Sequence, residues 1–319
     1  MTYTLTSDQL DLQEGMRRLC EGRLSIERVR STESDPASVR ELWSELADAG
    51  VFSLRVPEVA GGSGLTMIET AMIYEELGRA LVPGPLVAGQ LAVGLVEGTS
   101  DGSVVATLLC PGETPPLVEH LEMADVVVVL EPERVAVLEA QAVDAVAVAS
   151  PLDPLTPLHR VTALPPGRSV GGRDLAARMS SEGALLSSAL MSGIARACCD
   201  MAASYVLVRE QFGRPVGSFQ AVKHLLADMA VRADMAGAAT FAASRAMSTE
   251  PDLAPRAVAS AKVCAGKAAV TNARACIQAH GGIGFTWEHA CHLYLKRALL
   301  LTGTFGSVEL HTETVAQQI

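Results

Sequence analysis

The sequence predicts a mainly helical α+β chain: an N-terminal α-domain, a shortened middle β-domain and a C-terminal antiparallel four-helix bundle. Three observations predict it. The first hundred positions read as helices with capping residues at their ends, one of them repeating apolar residues at helical spacing. Between about 103 and 175 the chain turns to short valine-rich runs broken by Pro, Gly and charge. From Arg173 onward, long apolar helices alternate with short connections, the pattern of a bundle. The corresponding segments are 1–100, 101–175 and 176–319.

The elements follow in order. Residues 7–30 are expected to be helical, with Ser7 or Asp8 as N-cap, and Arg40–Ala49 forms a second helix closed by Gly50. VFSLRVPE (51–58) is expected to be extended, and AGGSGLT is a glycine-rich loop. Thr66 then caps MIETAMIYEELGRAL, where Ile68, Met72, Ile73 and Leu77 share a face. VVATLLC, DVVVVL, RVAVLEA and VDAVAVAS are strands. PLDPLTPLHRVTALPPG is expected to be a Pro-rich, largely extended connector. The run 174–211 is one long helix or two abutting ones. Further helices cover 219–247, 255–279, 287–300 and 308–318. GGSGLT and GGIGFT are alike, but six residues do not make a repeat.

With 25 basic and 36 acidic residues the formal charge is −11, which argues against a nucleic-acid or anionic-membrane binder. Apolar residues make up 49% of the chain and charged ones 19%, below the ~25% usual for soluble domains. That excess of apolar material suggests large buried subunit contacts and excludes intrinsic disorder. Ala80 to Val96, the longest uncharged stretch, is too short and too broken by proline to span a membrane. The opening MTYTLTSDQLDLQEG has no basic and apolar leader pattern. Seven scattered cysteines read as reduced, mostly buried thiols. Together these point to a cytoplasmic protein.

Two loops carry chemistry. REQFGRPVGSFQ (209–220) falls between long helices, where Gly213, Pro215 and Gly217 force a turn. An arginine there suits a phosphate, a phenylalanine a purine face, and a glutamine a polar edge. The alternative is a solvated interhelical loop stapled by Phe212. QAHGGIGFT (278–286) closes one helix and opens the next. Its glycines allow positive φ and close backbone approach, and Thr286 is placed to cap the following helix, whose free N–H groups favour an anion. The alternative is an ordinary helix C-cap. His289-Ala-Cys-His292 could offer metal ligands at i, i+3 but has no second cluster at a ligand spacing, so no metal is expected. P-loop, HExxH and GxGxxG motifs are absent.

These loops, in this order on a bundle after a β-domain, resemble the acyl-CoA dehydrogenase family. REQFGRPVGSFQAVKHLLADMA (209–230), QAHGGIGFTWEHACHLYLKRA (278–298) and VPEVAGGSGL (56–65) carry the resemblance. It spans the chain and is strongest from 183 to 304. It implies FAD at a subunit interface, shared with a partner subunit whose flavin adenosine diphosphate end the two C-terminal loops reach. Arg209 would pair with the pyrophosphate. Gln211, Phe212 and Gln220 would lie at the adenosine or pyrophosphate end, Gln278, Gly281 and Gly282 at the diphosphate, and Thr304 joins this cofactor set.

The departures from the family pattern matter as much. Neither a T-E-P-x-x-G-S-D motif nor a tryptophan-bearing strand occurs between 100 and 175; the tryptophans are Trp43 and Trp287. Many members carry a catalytic glutamate just before a Gly-Thr pair; Thr302 stands there, followed by Gly303 and Thr304. Others carry it on the first bundle helix, where this chain aligns Gly183, one residue from Glu182. Threonine cannot take the α-proton of an acyl thioester at neutral pH while hydride leaves Cβ for the flavin. The chain therefore resembles the smaller, non-catalytic subunit of α2β2 acyl-CoA dehydrogenases such as those of bacterial steroid side-chain breakdown. That resemblance implies acyl-CoA as substrate, a full-length acyl-CoA dehydrogenase as partner subunit and electron-transferring flavoprotein as acceptor. Two alternatives are a self-sufficient homotetramer using Glu182 as displaced base, and a scaffold binding neither flavin nor acyl-CoA.

Overall fold

The computed structural model describes residues 5–33, 35–112 and 115–318. In chain order the helices and strands are α1 (Ser7–Arg23), α2 (Ile26–Ser31), α3 (Pro36–Asp48), α4 (Met67–Arg79), α5 (Leu86–Ala92), β1 (Ala106–Leu109), β2 (Leu117–Glu119), β3 (Val126–Glu131), β4 (Arg134–Glu139), β5 (Asp144–Ala147), β6 (Leu158–Ala163), β7 (Arg168–Gly172), α6 (Arg173–Val208), β8 (Glu210–Gln211), β9 (Arg214–Pro215), α7 (Gln220–Thr249), α8 (Ala254–His280), α9 (Cys291–Gly303) and α10 (Val308–Ala316). The order helical, stranded, helical is the expected one. Packing groups the same residues into two compact units: residues 1–26, 67–82 and 184–319 form one, and residues 27–66 and 83–183 form the other.

The first unit is helical apart from the short β8–β9 hairpin. α1 starts from a Thr6 capping box with Gln9 rather than from Ser7 or Asp8, because Thr6 stays extended while its hydroxyl accepts the Gln9 N–H. α4 and α6 cross at their backbones: a Cβ on Gly78 would lie 2.1 Å from the Leu190 carbonyl, and one on Gly193 would lie 1.9 Å from that of Glu75. Only glycine allows that approach. Buried Asn272 on α8 ties three helices together. Its Nδ2 donates to the carbonyls of Ala195 on α6 (3.0 Å) and Met229 on α7 (2.9 Å), and its Oδ1 accepts from Arg232 Nε. This satisfies an amide that would otherwise cost free energy to bury. The run 173–208 is one helix of 36 residues.

The second unit holds the sheets. One has the order β1-β3-β4-β7, with β1 parallel to β3 and the other pairs antiparallel; the other has the order β2-β6-β5. The valine run of β3 is buried on both faces, as continuous apolar strands are. Val127 and Val129 pack with Leu109, Val118, Ala136 and Leu138. Nearby in this unit, Trp43 stacks on Phe52 at 4.1 Å.

Several expectations need correction. The first helical stretch divides at Leu24–Ser25 into α1 and α2. VFSLRVPE is not extended: Ser53 N–H bonds the Gly50 carbonyl and Val56 N–H that of Ser53, so the segment coils through successive turns. The Pro-rich connector contains β6, because its prolines flank the stretch 158–163 and leave the ladder free. The short β2 and α5 escape a periodicity search, which needs a longer window. All seven cysteines are free thiols, five of them buried. Among the described residues no helix is long and apolar enough to cross a membrane.

Candidate functional site

The turn after α6 is a two-residue hairpin. Glu210 pairs with Pro215 and Gln211 with Arg214, leaving Phe212 and Gly213 at the tip with φ of 54° and 77°. Two positive φ values define the type I′ turn that suits a tight hairpin. Asparagine or glycine is the usual first tip residue; a phenylalanine there is strained by about 1 kcal/mol. Phe212 is also 92% exposed. Arg214 stacks its guanidinium over Phe219 at 4.1 Å, so it is held within the turn. Arg209 instead lies exposed beside the hairpin, its carbonyl accepting the Val216 N–H at 2.7 Å. Gln211 donates to the Glu210 carbonyl, and Gln220 opens α7, exposed.

The turn after α8 lies at the same end of this unit. His280, the last residue of α8, stacks on Tyr205 of α6 at 4.2 Å, four residues before Arg209. Gly281 closes α8 with φ 63° and ψ −141°. A Cβ built on Gly281 or Gly282 would meet no atom within 4 Å, whereas one on Gly284 would meet the Ile277 carbonyl at 2.7 Å. Gly284 is therefore explained by packing within the unit, and the open backbone at 281–282 is not. Thr286 does not cap α9 as expected; its hydroxyl donates to the Ile283 carbonyl, and α9 starts only at Cys291. Exposed apolar side chains border both turns, among them Leu207, Val208, Phe285 and Trp287. Arg209, Gln211, Phe212, Gln220, Gln278, Gly281 and Gly282 are thus carried on the two corners at one end of the bundle. A guanidinium, carboxamides and unobstructed glycine backbone are the donor set a diphosphate wants.

Thr302 and Thr304 lie elsewhere. Lys262 on α8 donates to the carbonyls of Leu301 (2.7 Å) and Thr304 (2.6 Å) and is fully buried. It precedes His280 by eighteen residues, about 27 Å along the helix. Thr302 Oγ1 is tied to the Leu299 carbonyl, and Thr304 Oγ1 is within reach of the Leu301 carbonyl and Ser187 Oγ. Thr304 therefore does not join the two corners in this chain.

Two carboxylates, Glu182 and Glu75, stand out. In the second unit Glu182 receives both guanidinium nitrogens of Arg55, at 2.7 and 3.1 Å. In the helical unit Glu75 lines a mostly apolar cavity of about 500 Å³ with Ile68, Met72 and Phe241. Burial raises its pKa, against the lowering effect of the Ser192 hydroxyl at 3.1 Å. Sequence reasoning missed Glu75 and Lys262, because nothing in a helical pattern marks a charged residue that points inward. It also missed the company of His289 and Cys291: Cys276 and His280, one turn apart on α8, face them.

Comparison with known proteins follows these features. The acyl-CoA dehydrogenase N-terminal domain model matches residues 6–99, and the acyl-CoA dehydrogenase C-terminal domain model matches residues 171–319. Acyl-CoA dehydrogenase IpdE2 of Mycobacterium tuberculosis is 35% identical over 276 residues, covering 83% of this chain and 82% of that protein. Acyl-CoA dehydrogenase FadE34 of the same organism is 32% identical over 96% of this chain, which spans 47% of it. Among solved structures, a variant of the Tcur3481–Tcur3483 steroid ACAD superposes with a TM-score of 0.85 at 23% identity, covering 98% of both chains. A chain of the ChsE4–ChsE5 complex of M. tuberculosis does so with 0.83 at 23% identity, covering 100% of this chain and 98% of that one.

Proposed function

This chain belongs to the acyl-CoA dehydrogenase family, and from that membership we propose that it is the subunit without a catalytic base in a heteromeric, FAD-dependent acyl-CoA dehydrogenase. The observation that carries the proposal is the state of Thr302. It stands where many members hold the glutamate, and its hydroxyl is committed to the Leu299 carbonyl. A hydroxyl held this way offers no base for an α-proton near neutral pH.

The corner residues supply what the chain contributes instead. Arg209 would meet the pyrophosphate of the flavin dinucleotide with its charge. Gln278 and the open backbone of Gly281 and Gly282 would meet phosphate oxygens, and Phe212 with Gln211 and Gln220 the adenosine end. Bound FAD supplies the hydride acceptor for oxidation of an acyl-CoA at Cα–Cβ. The α-proton goes to a carboxylate of the partner subunit, a full-length acyl-CoA dehydrogenase in an α2β2 assembly. The exposed apolar residues around both corners suit burial against that partner. Steroid side-chain acyl-CoA is the proposed substrate class, in line with the steroid ACAD and the ChsE4–ChsE5 complex among the structural neighbours. Electron-transferring flavoprotein is the proposed acceptor, and the cytoplasm the proposed compartment.

The test is purification of the chain alone and with a co-expressed full-length partner. FAD and turnover are expected only in the co-purified complex. Stoichiometric FAD and full activity in the lone chain would refute the proposal. The second reading, a self-sufficient enzyme with Glu182 as base, rests on the burial of that carboxylate. It requires Glu182 to act while both its oxygens accept from Arg55. Glu182→Gln is expected to leave turnover of the complex within about twofold; a drop of about 10²-fold or more, the usual worth of a general base, would favour the second reading.

A further inference from the structure

One cluster of chemistry-bearing side chains is left over by the family function. Cys276 and His280 are four residues apart on α8 and so project from one face. His289 and Cys291 come from the approach to α9 and its first residue. The distances are 3.3 Å between the two sulfurs, 3.7 Å from Cys276 Sγ to His280 Nδ1, 3.5 Å from Cys291 Sγ to His280 Nδ1, and 3.0 Å from Cys291 Sγ to His289 Nδ1. Cys276, His280 and Cys291 are buried, and their ligand atoms lie within 4.8 Å of one another.

We propose that Cys276, His280 and Cys291 hold one zinc-type divalent cation, with His289, in contact with Cys291, turning in to complete a tetrahedron that pins the corner between α8 and α9. The argument is geometric. Zinc bonds of about 2.0–2.1 Å to nitrogen and 2.3 Å to sulfur place neighbouring ligand atoms of a tetrahedron roughly 3.3–3.8 Å apart. The two His280–sulfur edges lie close to the roughly 3.5 Å of a sulfur–nitrogen edge, while the sulfur–sulfur edge, about 3.8 Å in such a site, and the His289 edge are each shorter by about half an ångström, which a side-chain rotation corrects. A disulfide alone would need only the two sulfurs, brought to about 2.05 Å. It gives no reason for an imidazole nitrogen beside each of them. Thiolate and imidazole are the donors that favour zinc over magnesium or calcium.

Binding changes protonation in a defined way. Two Cys S–H bonds break, two S–metal bonds form, and two protons leave to solvent. His280 Nδ1 lies 2.8 Å from the Cys276 carbonyl. It gives up that contact and binds through its lone pair, while its proton resides on Nε2. Affinity therefore rises with pH. The cation closes a loop of eleven residues, 280 to 290, that includes Gly281 and Gly282. The inference does not depend on how the flavin is shared, because its readout is the metal itself.

The test uses the full chain, purified under reducing conditions, with Co²⁺ and Zn²⁺ as probes. One equivalent of Co²⁺ is expected to give the intense visible bands and the thiolate charge-transfer band of a tetrahedral sulfur-ligated site, displaced by one equivalent of Zn²⁺. Cys276→Ser and Cys291→Ser are expected to abolish the charge-transfer band or halve it. His289→Ala is expected to weaken Zn²⁺ binding by about tenfold or more, and Cys110→Ser to change nothing. The wild-type spectrum decides even if a variant does not fold. A wild type that takes up no Co²⁺ while all seven thiols titrate would overturn the proposal, as would a Cys276–Cys291 disulfide in its place, or an unchanged spectrum in both cysteine variants.

Discussion

The two ends of α8 make opposite use of polar groups. At the His280 end the chain leaves things open: an exposed guanidinium at Arg209, a strained and exposed Phe212, and glycine backbone with nothing over it. At the Lys262 end everything is closed: an ammonium fully buried on two carbonyls, and two threonine hydroxyls bonded back to their own helix. An open polar surface with strained backbone is costly to a lone chain and is retained where a ligand or partner repays it. A closed one is stable but offers no group to a reaction. Thr302 belongs to the second kind.

The sharpest way to break this contrast is Lys262→Met. It removes the donor from two buried carbonyls, and a loss of roughly 3 kcal/mol of stability is expected, read as a lower midpoint in urea unfolding. A variant as stable as wild type would mean that the closed end is not held by this contact. Next in size is Arg209→Ala. Unfolding of the chain should be unchanged, while the FAD content of the co-purified complex falls by about tenfold, the scale of a lost charge-assisted bond. Unaltered FAD would favour the scaffold alternative.

Phe212→Gly separates strain from function. Relief of the positive φ should stabilise the isolated chain by about 1 kcal/mol, while weakening FAD retention in the complex. A loss of stability in the isolated chain would show that the ring is there for the fold. The smallest effect expected is pH-dependent. Burial holds the folded pKa of Glu75 above its ordinary 4.5, so the charged form is the costly one. Above that raised pKa, Glu75→Gln should be more stable than wild type. The gap should close as pH falls through the raised value toward 4.5, where folded and unfolded carboxyls are both protonated. Thermal unfolding of the two proteins between pH 4 and 8 measures it.

Much of the fold was legible because helix and strand periods write themselves into apolar spacing. The long helices α6, α7 and α8 and the valine strands β1, β3 and β4 lie within a few residues of expectation. Short elements were not: β2, β6 and α5 are fixed by what they pack against, and Thr6 took the capping role from its neighbours through geometry. The candidate site divides the same way. Arg209, Phe212, Gln278 and the Gly281–Gly282 pair were visible because turn-forming residues mark the corners that carry them. The positive φ of Phe212 was not, since phenylalanine gives no signal for it.

The sequence by itself determined the helical and stranded segments and the two glycine-bearing corners, since each is a matter of residue type and local spacing. Only the tertiary structure decided that the two corners share one end of the bundle through the Tyr205–His280 stack. It alone set Thr304 apart from them, turned Lys262 inward, and gathered Cys276, His280 and Cys291 around one point with His289 against Cys291. Local patterns fix the period of an element. Which side chains meet across elements depends on helix length, crossing geometry and close glycine contacts, and these are settled only when the whole unit packs.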